Sequence, residues 1–157
     1  MSKSLKRVAR MLDATGIVHE ILEMAEETRT AAQAASAAGC HIDQIAKSII
    51  FQDAANAQTV LFITAGGNQV DPKRAANVAQ AALQRADAAT VRAQTGFAIG
   101  GVAPIAHLSS PRAFFDPRLL EFTTIWAAAG TPRHIFSISP AELLTISGAQ
   151  LTDFTSQ

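Results

Sequence analysis

The sequence predicts an α+β fold in which a mixed, curved sheet carries several short helices. Three observations lead there. Branched, strand-like runs and alanine-rich helical runs alternate irregularly along the 157 residues, unlike the regular repeat of a doubly wound parallel sheet. Two runs, Ile45 to Gln52 and Thr59 to Thr64, flank the polar stretch Asp53 to Gln58 and read as a hairpin. No internal repeat, linker or low-complexity tail divides the chain, so residues 1–157 read as a single domain large enough to bury a core.

Each element follows from local chemistry. Leu5, Val8, Ala9 and Leu12 fall at helical spacing, and Gly16 is the stop. Ile17 to Leu22 is short and branched, a strand. Thr28 or Thr30 caps a helix through Ala31 to Ala38 that ends at Gly39. After the hairpin, Gly66-Gly67-Asn68 ends the second strand. Asp71-Pro72 opens a helix with its cap and first-turn proline in order, and the alanine run to Ala82 follows. Asp87 caps another short helix ending near Gly96. Ala113 to Phe115 and Thr123 to Ala127 are strand-like, Gly130-Thr131-Pro132 is a turn, and His134 to Ile138 is a strand. Ser139-Pro140-Ala141-Glu142 starts a last helix, and Gln150 to Phe154 reads as a final strand.

Bulk composition excludes several classes. Hydrophobic residues make up 48% of the chain, too many for disorder, yet no apolar run reaches membrane-span length. The charged N-terminus is not followed by an apolar block, so no secretory signal is expected. A single cysteine, Cys40, cannot form an internal disulfide, and a cytoplasmic location is expected. The formal net charge of zero lacks the footprint of a high-affinity nonspecific nucleic-acid binder. It leaves room for an enzyme that touches one RNA end. Lys3, Lys6, Arg7 and Arg10 form a basic helix face, either solvated surface or a phosphate contact.

Two features carry chemistry. The stretch Thr95-Gly96-Phe97-Ala98-Ile99-Gly100-Gly101-Val102-Ala103-Pro104-Ile105-Ala106-His107 pairs two glycines with a proline that fixes its own φ. Such a turn either bends a strand or aims consecutive N–H groups into a nest for a phosphate or an oxyanion. Lys47 lies in the strand Ile45 to Gln52, where it shares a face with Ile49 and Phe51. It either snorkels or enters a pocket, where its ammonium can hold a phosphate or carboxylate. His19, His41, His107 and His134 show no metal-ligand spacing, and Cys40-His41 has no second cysteine, so no metal is expected. Phosphate-loop, dinucleotide and nucleophile-elbow motifs are absent. Phe114, Phe115, Phe122 and Trp126 suit a core or a base-stacking surface.

Taken together and in this order, five segments resemble the YbaK/prolyl-tRNA synthetase editing-domain family. They are Ala34-Ala35 to Gly39-Cys40, Gln44 to Phe51, Ala65 to Asp71, Thr95 to Pro104 and Ala128 to Pro132. The resemblance implies a curved, partly closed mixed sheet (a partly closed barrel) with flanking helices. It implies a free-standing deacylase that hydrolyses the ester of mischarged tRNA without cofactor or metal. The partner implied is the acceptor end of tRNA, above all tRNA(Pro), with prolyl-tRNA synthetase as a second candidate. Lys47, Gly100 and Gly101 fall on the catalytic positions, and Val102, Ala103, Pro104, Thr95 and Phe97 on the substrate side; His107, just after the loop, either joins that pocket or points to solvent. A pocket shaped for proline rejects smaller amino acids by only about 1–3 kcal/mol, so a second, smaller sieve is needed. Some alanine-specific relatives carry a His-Pro pair where this chain reads Trp126-Ala127-Ala128-Ala129-Gly130. Alanine, cysteine, 2-aminobutyrate, serine and threonine therefore all stay open as the residue removed. The alternatives are a noncatalytic module that binds aminoacyl-tRNA or a synthetase, and a hydrolase of some other small ester.

Overall fold

A computed structural model describes residues 2–156. Helix α1 (Lys3–Thr15) is capped by the Ser2 hydroxyl, which accepts from the Leu5 N–H, and stops at left-handed Gly16. Its buried stripe is Leu5, Val8 and Leu12, worth about 1.5–3 kcal/mol per side chain removed from water. Strand β1 (Glu20–Glu23) follows, then α2 (Ala31–Ala38), whose Thr30 cap and Gln33 form a reciprocal capping box. Strands β2 (Ile45–Asp53) and β3 (Thr59–Ala65) are the expected hairpin, with Lys47 opposite Thr64. Helix α3 (Pro72–Ala79) begins at Asp71, β4 is Leu83–Arg85, and α4 (Ala88–Thr95) runs from the Asp87 cap to Gly96. The remaining elements are β5 (Arg112–Phe115), β6 (Ile125–Thr131), β7 (His134–Ile138), α5 (Pro140–Ser147) and β8 (Gln150–Leu151).

The eight strands form one mixed sheet in the order β1-β7-β6-β2-β3-β5-β8, with β4 attached to β2. The sheet is not closed, since β1 and β8 are its outer strands. Strand β3 is buried along its whole length, which its unbroken run Thr59-Val60-Leu61-Phe62-Ile63-Thr64-Ala65 requires. Leu61 and Ile63 face a core shared with α1, Phe97, Phe136 and Leu143. Val60 and Phe62 face a second core with Phe114, Phe154, Ala75 and Ala79.

Four local expectations need correction. The first strand starts at Glu20 rather than Ile17, because β1 pairs only with β7, from Glu20↔Ser137 to Glu23↔His134. Strand β4 is an addition to the expected elements, since Leu83-Gln84-Arg85 has no strand pattern and is held by pairing with β2. Gly130 and Thr131 belong to β6, and the turn to β7 is Pro132-Arg133; Gly130 takes φ +99° at a bulge where the β6–β7 register shifts between Ala128 and Thr131. The last strand is only Gln150–Leu151, and Thr155 forms a separate bridge with Val70.

Candidate active site

One edge of β2 is covered by β3 from Ala46 to Gln52. The other edge is shared: β6 pairs in parallel with Ile45 and Ala46, and β4 pairs antiparallel with Phe51 to Asp53. Between them, residues 47–50 have no strand neighbour on that side. A cavity of about 800 Å³ occupies the gap, with Lys47, Ser48, Ile49 and Ile50 in its lining. Ala127, Ala128 and Trp126 of β6 and Ala31, Ala32 and Ala34 of α2 form small-residue and apolar walls. The charged side chains of the lining are Arg29, Lys47 and Arg85, and no Asp or Glu is among them. Such a pocket favours an anionic ligand.

The glycine loop reaches the same cavity through Ile99, Gly100 and Val102. Gly100 is exposed, with φ +96°. Gly101 is buried, and its N–H donates to the Ala98 carbonyl at 3.1 Å. A Cβ on Gly101 would lie 2.8 Å from Thr131 Cα, so only glycine fits against the β6 backbone there. The turn thus spends one of its two expected oxyanion donors internally, while the Gly100 and Val102 N–H groups meet no backbone acceptor among the described residues.

The other residues expected at the site stand behind this loop. Thr95 is buried and donates its hydroxyl to the Val91 carbonyl at 2.6 Å, while accepting from the Phe97 N–H at 3.0 Å. Phe97, Ala103 and Pro104 are buried in the loop's base. His107 neither lines the cavity nor faces solvent: Nε2 donates to the Ala103 carbonyl at 2.6 Å, and the ring meets Phe97 edge-on at 5.4 Å. Burial lowers its pKa, the Ala103 hydrogen bond opposes this, and Arg7 adds to the lowering. These residues shape the loop from beneath, whereas Lys47, Gly100 and Val102 line the cavity itself.

Lys47 is half-buried on β2, and its ammonium donates to the Asn68 carbonyl at 2.6 Å. Burial pushes its pKa down, and Asp116 and Asp43 pull it partly back. Both carboxylates are engaged. Asp116 accepts from the Ala65 N–H at 3.0 Å and Asn68 Nδ2 at 2.9 Å, and Asp43 accepts from the Gly67 N–H at 2.7 Å and Arg118 Nε at 3.0 Å. Burial would raise the Asp43 pKa, but Arg118, Gly67 and His41 together hold it below the ordinary value. The Gly66-Gly67-Asn68 turn is therefore the mount for Lys47.

Sequence reasoning missed several roles. Arg7 was grouped with the basic surface, yet it turns inward to the loop, while Lys3, Lys6 and Arg10 stay exposed. Arg29 and Arg85 carry no local signal, because their convergence depends on α2 and β4 flanking one gap. Phe114 and Phe115 are core residues, Phe122 stacks on His41 at 6.1 Å, and Trp126 alone of the four aromatics lines the cavity. Among the described residues no three His, Cys, Asp or Glu side chains group as metal ligands, and no helix is long and apolar enough to cross a membrane.

An open mixed sheet with flanking helices thus frames a cationic gap beside a glycine loop. The aminoacyl-tRNA editing domain profile matches residues 25–146, and the chain belongs to that family. It is 38% identical to a proposed trans-editing enzyme for prolyl tRNA synthetase of known crystal structure, which superimposes with a TM-score of 0.91 over 100% of this chain and 99% of that one. The crystal structure of hypothetical protein APE2540 matches with a TM-score of 0.87 at 27% identity, over 96% of this chain and 99% of that one. The uncharacterized protein YwhH of Bacillus subtilis (strain 168) is 28% identical over 144 residues, 92% of this chain and 91% of its own length.

Proposed function

We propose that this protein is a trans-acting deacylase that hydrolyses the ester between a small, wrongly attached amino acid and tRNA, with tRNA(Pro) as the preferred carrier. The observation that carries this reading is the gap in the sheet, whose charged lining is entirely cationic and whose walls are rich in alanine. Cations suit the phosphates of an RNA 3′ end, and small walls suit a small aminoacyl group. Similarity to a proposed trans-editing enzyme for prolyl tRNA synthetase supports the choice of tRNA.

Each residue then has a task. One of the three donors of the Lys47 ammonium is bound to Asn68, and the other two serve the terminal phosphate or the ester carbonyl. The exposed Gly100 N–H, and that of Val102, stabilise the tetrahedral oxyanion, a role worth about 3–4 kcal/mol per donor in comparable sites. Gly101, Ala103, Pro104, Thr95, Phe97 and His107 hold those groups in position. The attacking water needs no protein nucleophile when the substrate's own hydroxyl or thiol activates it.

Purified protein offered tRNA(Pro) charged with alanine, cysteine, 2-aminobutyrate, serine or threonine should release at least one of them. Lys47→Ala and Gly100→Ala should each slow the release. Full activity in both variants would remove the site assignment. Binding of charged tRNA without turnover on any member would favour a noncatalytic module instead.

A further inference from the structure

The main chain of β2 is itself unpartnered in the gap. In an antiparallel ladder, the N–H and C=O of successive residues point to opposite edges. Asp53 donates to the Gln58 carbonyl at 2.9 Å on the β3 side, and Ala54 donates to the Ala82 carbonyl at 2.9 Å on the β4 side. Odd-numbered residues of β2 therefore bond β3, and even-numbered residues address the opposite edge. Along that edge Ala46 is taken by β6 and Gln52 by β4. Ser48 and Ile50 lie between them, line the cavity and have no strand partner on that side.

A strand residue whose N–H and C=O share one open edge offers a donor and an acceptor side by side. Adenine carries the complement, an exocyclic N6 donor next to a ring-nitrogen acceptor, on both its Watson–Crick and Hoogsteen edges. The surrounding charge points the same way. Arg29, Lys47 and Arg85 favour a ligand that carries phosphate. Ile99, 57% exposed at the cavity rim, offers an apolar surface to a planar ring. A nucleotide supplies all three features.

We infer that the Ser48 and Ile50 main chain reads the adenine of the substrate's terminal adenosine, a step that rests on the acceptor end of tRNA entering this cavity. The unpaired strand edge thereby recognises the base, and the aminoacyl ester is carried toward the glycine loop.

The test compares adenosine 5′-monophosphate with inosine 5′-monophosphate in amide-resolved NMR titrations of the full chain. Inosine places an oxygen at position 6 and a proton on N1, so it reverses donor and acceptor on the Watson–Crick edge and removes the donor on the Hoogsteen edge. Adenosine monophosphate should shift the Ser48 and Ile50 amides and bind at least about tenfold more tightly. Equal affinities, or shifts confined elsewhere, overturn the assignment, as does an extended tetraalanine peptide that shifts these amides while adenosine monophosphate does not. In a parallel arm, mischarged tRNA with its terminal adenosine replaced by inosine should be deacylated about tenfold more slowly. Equal deacylation of both ends rejects adenine reading and leaves the deacylase reading intact. Retained discrimination between the mononucleotides, with no deacylation at all, supports the strand edge and rejects the deacylase reading alone.

Discussion

Arg7 and Ala106 are 99 positions apart in sequence, yet the Arg7 Nε–H donates to the Ala106 carbonyl at 2.7 Å. The same guanidinium donates to the Thr95 carbonyl at 3.0 Å and lies 4.7 Å from the centre of the Phe97 ring. Thr95 and Ala106 bracket the glycine loop, so one side chain from α1 ties both ends of it. Ala106 holds φ +62°, a backbone state that needs such external support. Replacing Arg7 with Met should lower unfolding stability by about 1–2 kcal/mol and deacylation by about tenfold to a hundredfold. Arg7→Lys should not restore activity, because one ammonium lacks the planar fork that serves two carbonyls. Urea unfolding beside single-turnover deacylation separates the two effects. Wild-type turnover in Arg7→Met would show that the loop keeps its shape without the tie.

Gly100 and Gly101 should fail for different reasons. A methyl on Gly101 would meet the Thr131 backbone at 2.8 Å, and such overpacking costs about 1–3 kcal/mol. At Gly100 the nearest atoms are Arg29 Nη1 at 3.6 Å and Pro132 Cγ at 3.9 Å, so space is available. Its cost is the left-handed φ of +96°, about 1–2 kcal/mol for an L residue. Gly101→Ala should therefore shift the urea midpoint more, while Gly100→Ala should lose more activity for the stability it gives up. The opposite ranking would mean that the Gly100 side of the turn carries the structural load.

The parts legible in the sequence were those written locally. Thr30, Asp71-Pro72, Asp87 and Ser139-Pro140 announce their helices, because a cap hydrogen-bonds only two or three residues ahead. The Lys47 strand and the glycine turn were visible for the same reason. What decides the site is long-range. The gap exists because β6, about eighty residues after β2, pairs with only Ile45 and Ala46 and then yields the edge to β4. No local pattern encodes where pairing stops. Arg7 read as surface because its partners are backbone carbonyls, which have no side-chain signature. His107 read as a site residue because its neighbours in sequence were, whereas its contacts with Ala103 and Phe97 place it under the loop.

His107 should give the fold an acid limit. Its pKa is lowered in the folded chain, chiefly by burial, from an ordinary value of about 6.5. As pH falls below that value, the unfolded chain takes up the proton before the folded chain does. Stability therefore drops between about pH 6.5 and the lower folded pKa, and this contribution is constant above that window. His107→Gln can still donate toward Ala103 and cannot titrate, so it should show a shallower loss between pH 7.5 and pH 5. Urea titrations of both proteins at the two pH values measure the difference. Parallel losses would mean that His107 protonates without hindrance in the folded state.

Binding of an RNA 3′ end should carry a small and countable salt dependence. Single strands lose about 0.7 in the slope of log affinity against log salt for each phosphate neutralised. Three cations at the cavity predict a slope near about −2 for an oligonucleotide ending in CCA. The three are not equivalent. Arg29 already bonds Glu27 at 2.7 Å, so it releases fewer counterions on binding, whereas Arg85 is exposed at the end of β4 beside the open edge of β2. Arg85→Gln should reduce the slope by about 0.7, and Arg29→Gln by less. Fluorescence anisotropy across a salt series gives both values. A slope unchanged by Arg85→Gln would place the phosphates outside this cavity and separate the cationic gap from RNA binding.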